Sequence, residues 1–178
     1  LLLYLNNLKT INLNSNNLKR GISSFLIVLK NLYRKGKIQL ENLYLNNCEL
    51  DDIAFYELGE LLKCKYCKLK KLFINQNNIP SSINFLKKIK KNNSLIEIYI
   101  NRCNIDYKDT DNIMRIISNT SINCIYLNKN QIHNFDELLK INPDLTIDFS
   151  DSFNETNYLE LYNNPKYRKL LLKNFNYS

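Results

Sequence analysis

Apolar and polar positions follow one eleven-residue frame, repeated at residues 8–18, 40–50, 69–79, 95–105 and 122–132. Each copy is aliphatic at its first, fourth, sixth and eleventh positions. The ninth position runs Asn16, Cys48, Asn77, Cys103, Asn130. The fourth and sixth positions alternate with polar or aromatic residues. This period of two predicts a short strand with one face inward and one outward. Successive frames begin 32, 29, 26 and 27 residues apart. Parallel strands cannot be joined by a tight turn, so each interval must hold a crossover, usually helical. Helical spacing is present in every interval: Ile22, Leu26, Leu29 and Leu32/Tyr33; Ala54, Leu58, Leu61 and Leu62; Ile83, Leu86 and Ile89; Ile113, Ile116 and Ile117; Phe135, Leu138 and Leu139. Start signals precede four of them, at Ser23/Ser24, Asp51/Asp52, Pro80-Ser81-Ser82 and Asp109-Thr110-Asp111.

At the ninth position the chain leaves the strand and turns inward, so backbone groups lose their ladder partners. A buried Asn amide both donates and accepts, and can satisfy them. A Cys fills the same small site as a near-apolar residue. Cys48 and Cys103 are therefore expected to be buried and unpaired.

Five such frames are the signature of a leucine-rich repeat, one strand plus one helix per unit. Long helical repeats with Asn and Cys alternating at the ninth position resemble the ribonuclease-inhibitor-like class. That class includes ribonuclease inhibitor, the Ran GTPase-activating protein, the repeats of NOD-like receptors and the tropomodulin C-terminal domain. The tract 45–52, Leu-Asn-Asn-Cys-Glu-Leu-Asp-Asp, is the most class-like. The resemblance implies an α/β solenoid, a right-handed βα horseshoe with a parallel sheet on its concave face and helices on its convex face. The expected division is a solenoid over residues 8–149, five clear repeats and a degenerate one whose strand lies in 143–149. Residues 1–7 read either as the end of a preceding helix or as a truncated repeat, and the chain, starting without Met, reads as a fragment. Residues 150–178 read as a C-terminal cap with a helix from Asn164-Pro165 carrying Tyr167, Leu170 and Leu171. A basic amphipathic segment for a membrane or partner is the alternative reading of that tail.

Composition narrows the chemistry. At 178 residues with a formal charge of +8, the chain is one basic domain. Lysines gather late in helices and in the loops after them: Lys35 and Lys37; Lys63, Lys65, Lys68, Lys70 and Lys71; Lys87, Lys88, Lys90 and Lys91. Such a rim suits an anionic partner. It also suits helix C-termini, where cations complement the macrodipole. The abundance of Asn, Lys, Ile and Tyr, as in AT-rich genomes, is a further explanation. Five cysteines cannot all pair, and Cys64-Lys65-Tyr66-Cys67 lacks the second pair that a zinc site needs. His133 is the single histidine. The expectation is reduced thiols, no metal and no cofactor, in an intracellular and cytoplasmic protein. The apolar run at residues 1–5 is far too short to span a membrane.

The outward residues stack in columns when the frames are aligned. The fifth column reads Asn12, Tyr44, Phe73, Tyr99, Tyr126; the seventh Asn14, Asn46, Asn75, Asn101, Asn128; the eighth Ser15, Asn47, Gln76, Arg102, Lys129. Adjacent strands lie about 4.8 Å apart, so each column is a row of neighbours. Four consecutive aromatics make a stripe of the type enriched in interface centres, although aromatics also simply suit strands. The Asn column can be explained by ladder bonding alone. With three glycines the chain has no phosphate-cradling loop, and no Ser-His-Asp set or convergent acid pair stands out. The expected function is a non-enzymatic scaffold that binds a protein, rather than nucleic acid or membrane, through Tyr44, Phe73, Tyr99 and Tyr126 with Arg102 and Lys129 beside them. The resemblance also offers a GTPase-activating role, with Arg102 supplied in trans. The lysine rim offers a third role, as an anionic-surface binder.

Overall fold

The structure, a computed structural model, describes residues 6–79, 84–90, 92–106, 109, 113, 117, 120–131 and 146–148. Among these, six strands form one sheet in chain order: β1 (Thr10–Asn12), β2 (Asn42–Tyr44), β3 (Lys71–Phe73), β4 (Glu97–Tyr99), β5 (Cys124–Tyr126) and β6 (Thr146–Asp148). Every neighbouring pair is parallel and aligned frame on frame: Leu43 opposite Leu72, Leu72 opposite Ile98, Ile98 opposite Ile125 and Ile125 opposite Ile147. Helices α1 (Lys19–Arg34), α2 (Asp52–Leu62) and α3 (Asn84–Ile89) occupy crossovers. The fold is the α/β leucine-rich-repeat solenoid, with the sheet concave and the helices convex. The degenerate final strand lies where the 143–149 tract places it.

The frame supplies the core. Leu43, Leu45, Leu72, Ile74, Ile98, Ile100, Ile125 and Leu127 are all fully buried, each worth about 1.5–3 kcal/mol relative to exposure. From the convex side Ile22, Leu26, Leu29 and Tyr33 of α1 and Ala54, Leu58, Leu61 and Leu62 of α2 pack onto them. The Tyr33 hydroxyl, buried in that core, donates to the Leu40 carbonyl at 2.6 Å. Gly59 lets α3 come close: a Cβ there would lie 3.0 Å from the Phe85 backbone and 2.8 Å from Lys88 Cδ.

Buried ninth-position asparagines each tie two repeats together. Asn77 Nδ2 donates to the carbonyls of Leu45 and Ile74, and its Oδ1 accepts from the backbone N–H of Cys48 and Leu50. Asn130 does the same for Ile100, Leu127, Cys103 and Ile105. Cys48 and Cys103 are buried free thiols, as the frame requires, and their Sγ atoms donate to carbonyls, Cys48 to Leu13 at 3.1 Å. A thiol can replace the amide's donor but not its oxygen, so each Cys repeat depends on the Asn of the repeat that follows. Asn16 departs from the pattern. It is exposed, and its side chain bonds Leu13 and Asn14 of its own repeat.

Two start signals are corrected. α1 begins at Lys19, one turn before Ser23/Ser24, with Leu18 as an N-cap that offers no side-chain bond. The frame's last leucine leads straight into the helix, and burial of the Ile22–Tyr33 face outweighs the missing cap. In the fourth interval Asp106, not Asp109, takes the capping role, accepting from the Asp109 N–H at 2.9 Å. Asp51 caps α2 as expected, through the Ala54 N–H at 2.8 Å. The readings of residues 1–5, Pro80-Ser81-Ser82, Ile83, Ile116, Ile132, His133, the 135–139 helix and the 150–178 cap lie outside the described residues.

Candidate interaction face on the concave sheet

Period-two strands put positions three and five of every repeat on the outward face. At position five the rings of Tyr44, Phe73, Tyr99 and Tyr126 stack face to face. Centroids are 4.0, 4.1 and 4.0 Å apart, and planes meet at 5°, 17° and 6°. Strand spacing imposes this geometry. Rings on adjacent parallel strands, in register, have only their neighbours' faces to cover. The stack lies between Asn12 of β1 and Asp148 of β6, which hold the same position.

The stack corrects one expectation. The sequence reading treats each ring as exposed and independent of the core. All four are half-buried, and Phe73 and Tyr99 have both faces covered by other rings. What they offer a partner is ring edges and hydroxyls. Truncating an inner ring therefore also removes support from two neighbours.

Position three adds a polar strip that the frame alone does not announce. The Tyr99 hydroxyl donates to Glu97 at 2.7 Å, and Lys71 closes on the same carboxylate at 2.8 Å. Burial works to raise Glu97, but these two donors more than offset it and hold the carboxyl below its usual range. Burial and the bond to Glu97 push the Tyr99 phenol well above its ordinary value. Its hydrogen bond with Cys124, with burial, pushes Tyr126 up to about 12. Both hydroxyls are neutral donors at physiological pH. The signal was present in the sequence as opposite charges, Lys71 and Glu97, at paired positions of adjacent strands.

The seventh column is architectural. Asn14 Oδ1 accepts from the Asn46 N–H, Asn46 from Asn75, Asn75 from Asn101 and Asn101 from Asn128, at 2.7–2.8 Å. Each side chain thus satisfies the backbone of the next repeat, and the last, Asn128, donates to Asp148 at 3.1 Å.

Arg102 and Lys129 lie just past the strands rather than on them. The eighth position is an exposed turn residue in the left-handed region in every repeat, with φ between 52° and 58° at Ser15, Asn47, Gln76, Arg102 and Lys129. Five different side chains occupy it and none is glycine, so no residue-type signal marked it.

The lysine rim divides in two. Lys70 and Lys9 both grip Glu41, at 2.8 and 2.7 Å, and these bonds pull its carboxyl down to about 2. Lys71 holds Glu97, and Lys88 meets Glu60 at 2.9 Å. Lys35, Lys37, Lys63, Lys65 and Lys68 are exposed and make no ion pair among the described residues. Cys64 and Cys67 are buried free thiols in the turn after α2, where burial pushes Cys67 up to about 12. No helix among the described residues is long and apolar enough to cross a membrane.

No protein-family model matches the sequence, and no curated protein matches it significantly. A solved structure from Caenorhabditis elegans, a tropomodulin C-terminal domain, is similar in fold, with a TM-score of 0.52 and 16% sequence identity. The match covers 96% of this chain and 86% of that one. It supports the leucine-rich-repeat-like architecture and overturns the placement with ribonuclease inhibitor, the Ran GTPase-activating protein and NOD-like receptor repeats. The neighbour belongs to a different family, and no comparison points to ribonuclease inhibitor. The reason is physical. The frame encodes the buried side of a strand and its turn, which such repeats share, and the Asn–Cys alternation is accounted for by the bonds between adjacent repeats.

Proposed function

We propose that this protein is a non-enzymatic interaction module that takes a protein partner on its concave sheet. The observation that carries the reading is the four-ring stack, half-exposed, with the neutral Tyr99 and Tyr126 hydroxyls at its edge and the Lys71–Glu97 pair beside it. Solenoids use this face for binding. Aromatic residues dominate interface energetics, and preordered rings lose little entropy on contact. Arg102 and Lys129 would touch a partner from the turn row at the strand ends. An intracellular, cytoplasmic setting fits five free thiols, four of them buried in the frame and the Cys64–Cys67 turn.

The test is capture from lysate of the source cells by wild type, by a Tyr44→Ala/Tyr126→Ala variant, and by an Ile53→Ser/Tyr56→Ala variant on the convex face. Ile53 and Tyr56 are exposed on α2. A partner retained by the convex variant and lost by the concave one supports the reading. The reverse pattern contradicts it.

A further inference from the structure

A second surface stands apart from the concave stripe. In a parallel solenoid every helix-to-strand loop reaches the same edge, and every strand-to-helix turn the opposite one. The helix-to-strand edge carries Arg34, Lys35 and Lys37 at and after the end of α1, Lys63, Lys65 and Lys68 after α2, and Lys90 after α3. All are exposed and outside any ion pair among the described residues. The two described carboxylates in these loops and helix ends, Glu41 and Glu60, are each held by lysines. The opposite edge carries Glu49, Asp51, Asp52, Asp106 and Asp109 against Lys19, Arg102 and Lys129. Charge is thus segregated between the two edges.

Helix ends explain only part of this. Each C-terminus carries about half a negative charge, so three helix ends call for one or two cations, not seven. Between the ends of α1 and α2 the edge opens into a depression of about 340 Å³, lined by Arg34, Glu60, Lys63, Cys64, Lys65 and Tyr66. Its one carboxylate, Glu60, is occupied by Lys88 at 2.9 Å, so its outstanding charge is positive.

We propose that this edge is a docking surface for an anionic lipid membrane, with the Arg34–Lys63–Lys65 depression as the seat of one headgroup. Three features choose lipid over nucleic acid. Adjacent helices pack about 8–10 Å apart, so the basic stations follow one another in a single row along this edge. Six of the seven cations are lysines, point charges suited to a diffuse field rather than to forked contacts with bases. Single-strand binding relies on several stacking rings, whereas Tyr66 is the one exposed ring on this edge among the described residues, with the Lys65 ammonium 4.9 Å above it. The surface is separate from the concave face, so neither proposal depends on the other.

The test is co-sedimentation of the protein with vesicles of phosphatidylcholine containing about 30% phosphatidylserine, against phosphatidylcholine alone. Binding is expected only to the anionic vesicles, and it falls several-fold as salt rises from about 50 to about 200 mM. Neutralising Lys35, Lys63 and Lys65 to Gln lowers the partition coefficient by about 100-fold, roughly five-fold per lysine. A control with Lys19, Arg102 and Lys129 changed to Gln stays within about two-fold of wild type, because those residues lie on the far edge. Circular dichroism verifies that both variants are folded. Equal binding to both vesicles, no binding at low salt, or equal losses in the two triple variants overturns the proposal. Tighter binding to a polythymidine strand than to the anionic vesicles at the same salt overturns it in favour of nucleic acid.

Discussion

At the seventh position of the first four repeats the side-chain oxygen is taken by the next repeat's backbone; at the fifth, from the second repeat to the fifth, a ring stacks on its own kind and keeps an edge in solvent. Both columns are unbroken over four or more repeats, and both face the same side of the same sheet. Asn14, Asn46, Asn75 and Asn101 each use their carbonyl oxygen to satisfy an N–H that the parallel ladder leaves over. Tyr44, Phe73, Tyr99 and Tyr126 satisfy no such need. Repetition alone therefore does not mark a binding site. A column whose acceptor oxygens are taken by the backbone is architecture, and one with unspent ring surface is where a partner gains something.

The largest test of that contrast lies one turn inward, at the buried asparagine of the ninth position. Asn77→Ala strands the N–H groups of Cys48 and Leu50 and the Leu45 carbonyl together. Each lost partner costs about 1–3 kcal/mol, so a loss of about 3 kcal/mol or more is expected in urea unfolding. Cys48→Ala, which removes one weak donor, is expected to cost clearly less. Equal losses would mean that the alternation is packing alone.

Tyr99→Ala comes next. Losing two stacked faces is expected to cost about 1–3 kcal/mol of stability, a direct consequence of the stack that an isolated exposed ring would not share. Tyr99→Phe keeps the stack and loses the hydroxyl's bonds to Glu97 and Tyr126, so it is expected to retain most of the stability.

Glu41 at position two and Tyr126 at position five supply pH dependence. The folded pKa of Glu41 is lowered from 4.5 to about 2. Its contribution is intact above pH 4.5 and is lost as pH falls through about 2. Tyr126 has the opposite sign. Its pKa is raised from 10.0 to about 12, so its contribution is intact below pH 10 and is lost as pH rises through about 12. Urea midpoints followed across both windows for wild type and for Glu41→Gln and Tyr126→Phe check each sign, the difference from each variant isolating that group's contribution.

The smallest expected effect is at the turn row. Gln76 sits at φ 56°, where a residue with a Cβ costs about 1 kcal/mol relative to glycine. Gln76→Gly is expected to raise stability by up to about 1 kcal/mol, as read by the urea midpoint.

Much of this was legible in the residues, and the omissions have causes. Leu45, Ile74, Ile100 and Leu127 were placed correctly because burial imposes one residue class on each frame position. The same alignment brought the four rings into one column. It could not say that they stack, because stacking depends on ring tilt and strand spacing rather than on residue type. The left-handed turn was invisible because Ser15, Asn47, Gln76, Arg102 and Lys129 share no chemistry. The α1 start was misplaced because Ser23 looks like a cap, while the packing of Ile22 and Leu26 extends the helix past it. The Lys71–Glu97 pair was legible as opposite charges at one frame position of adjacent repeats, whereas the Tyr99 bond to that carboxylate depends on side-chain geometry that the alignment does not carry.

The central claim rests on one measurement: the affinity of the captured partner for wild type, Tyr99→Ala and Asn75→Ala, each verified as folded at the assay temperature. Asn75→Ala strands the Asn101 N–H and is expected to destabilise the fold by about 1–3 kcal/mol, comparably to Tyr99→Ala. If the aromatic column is the binding face, Tyr99→Ala weakens binding by about 2 kcal/mol or more, while Asn75→Ala stays within about two-fold of wild type. Equal affinities for the two variants would contradict the account.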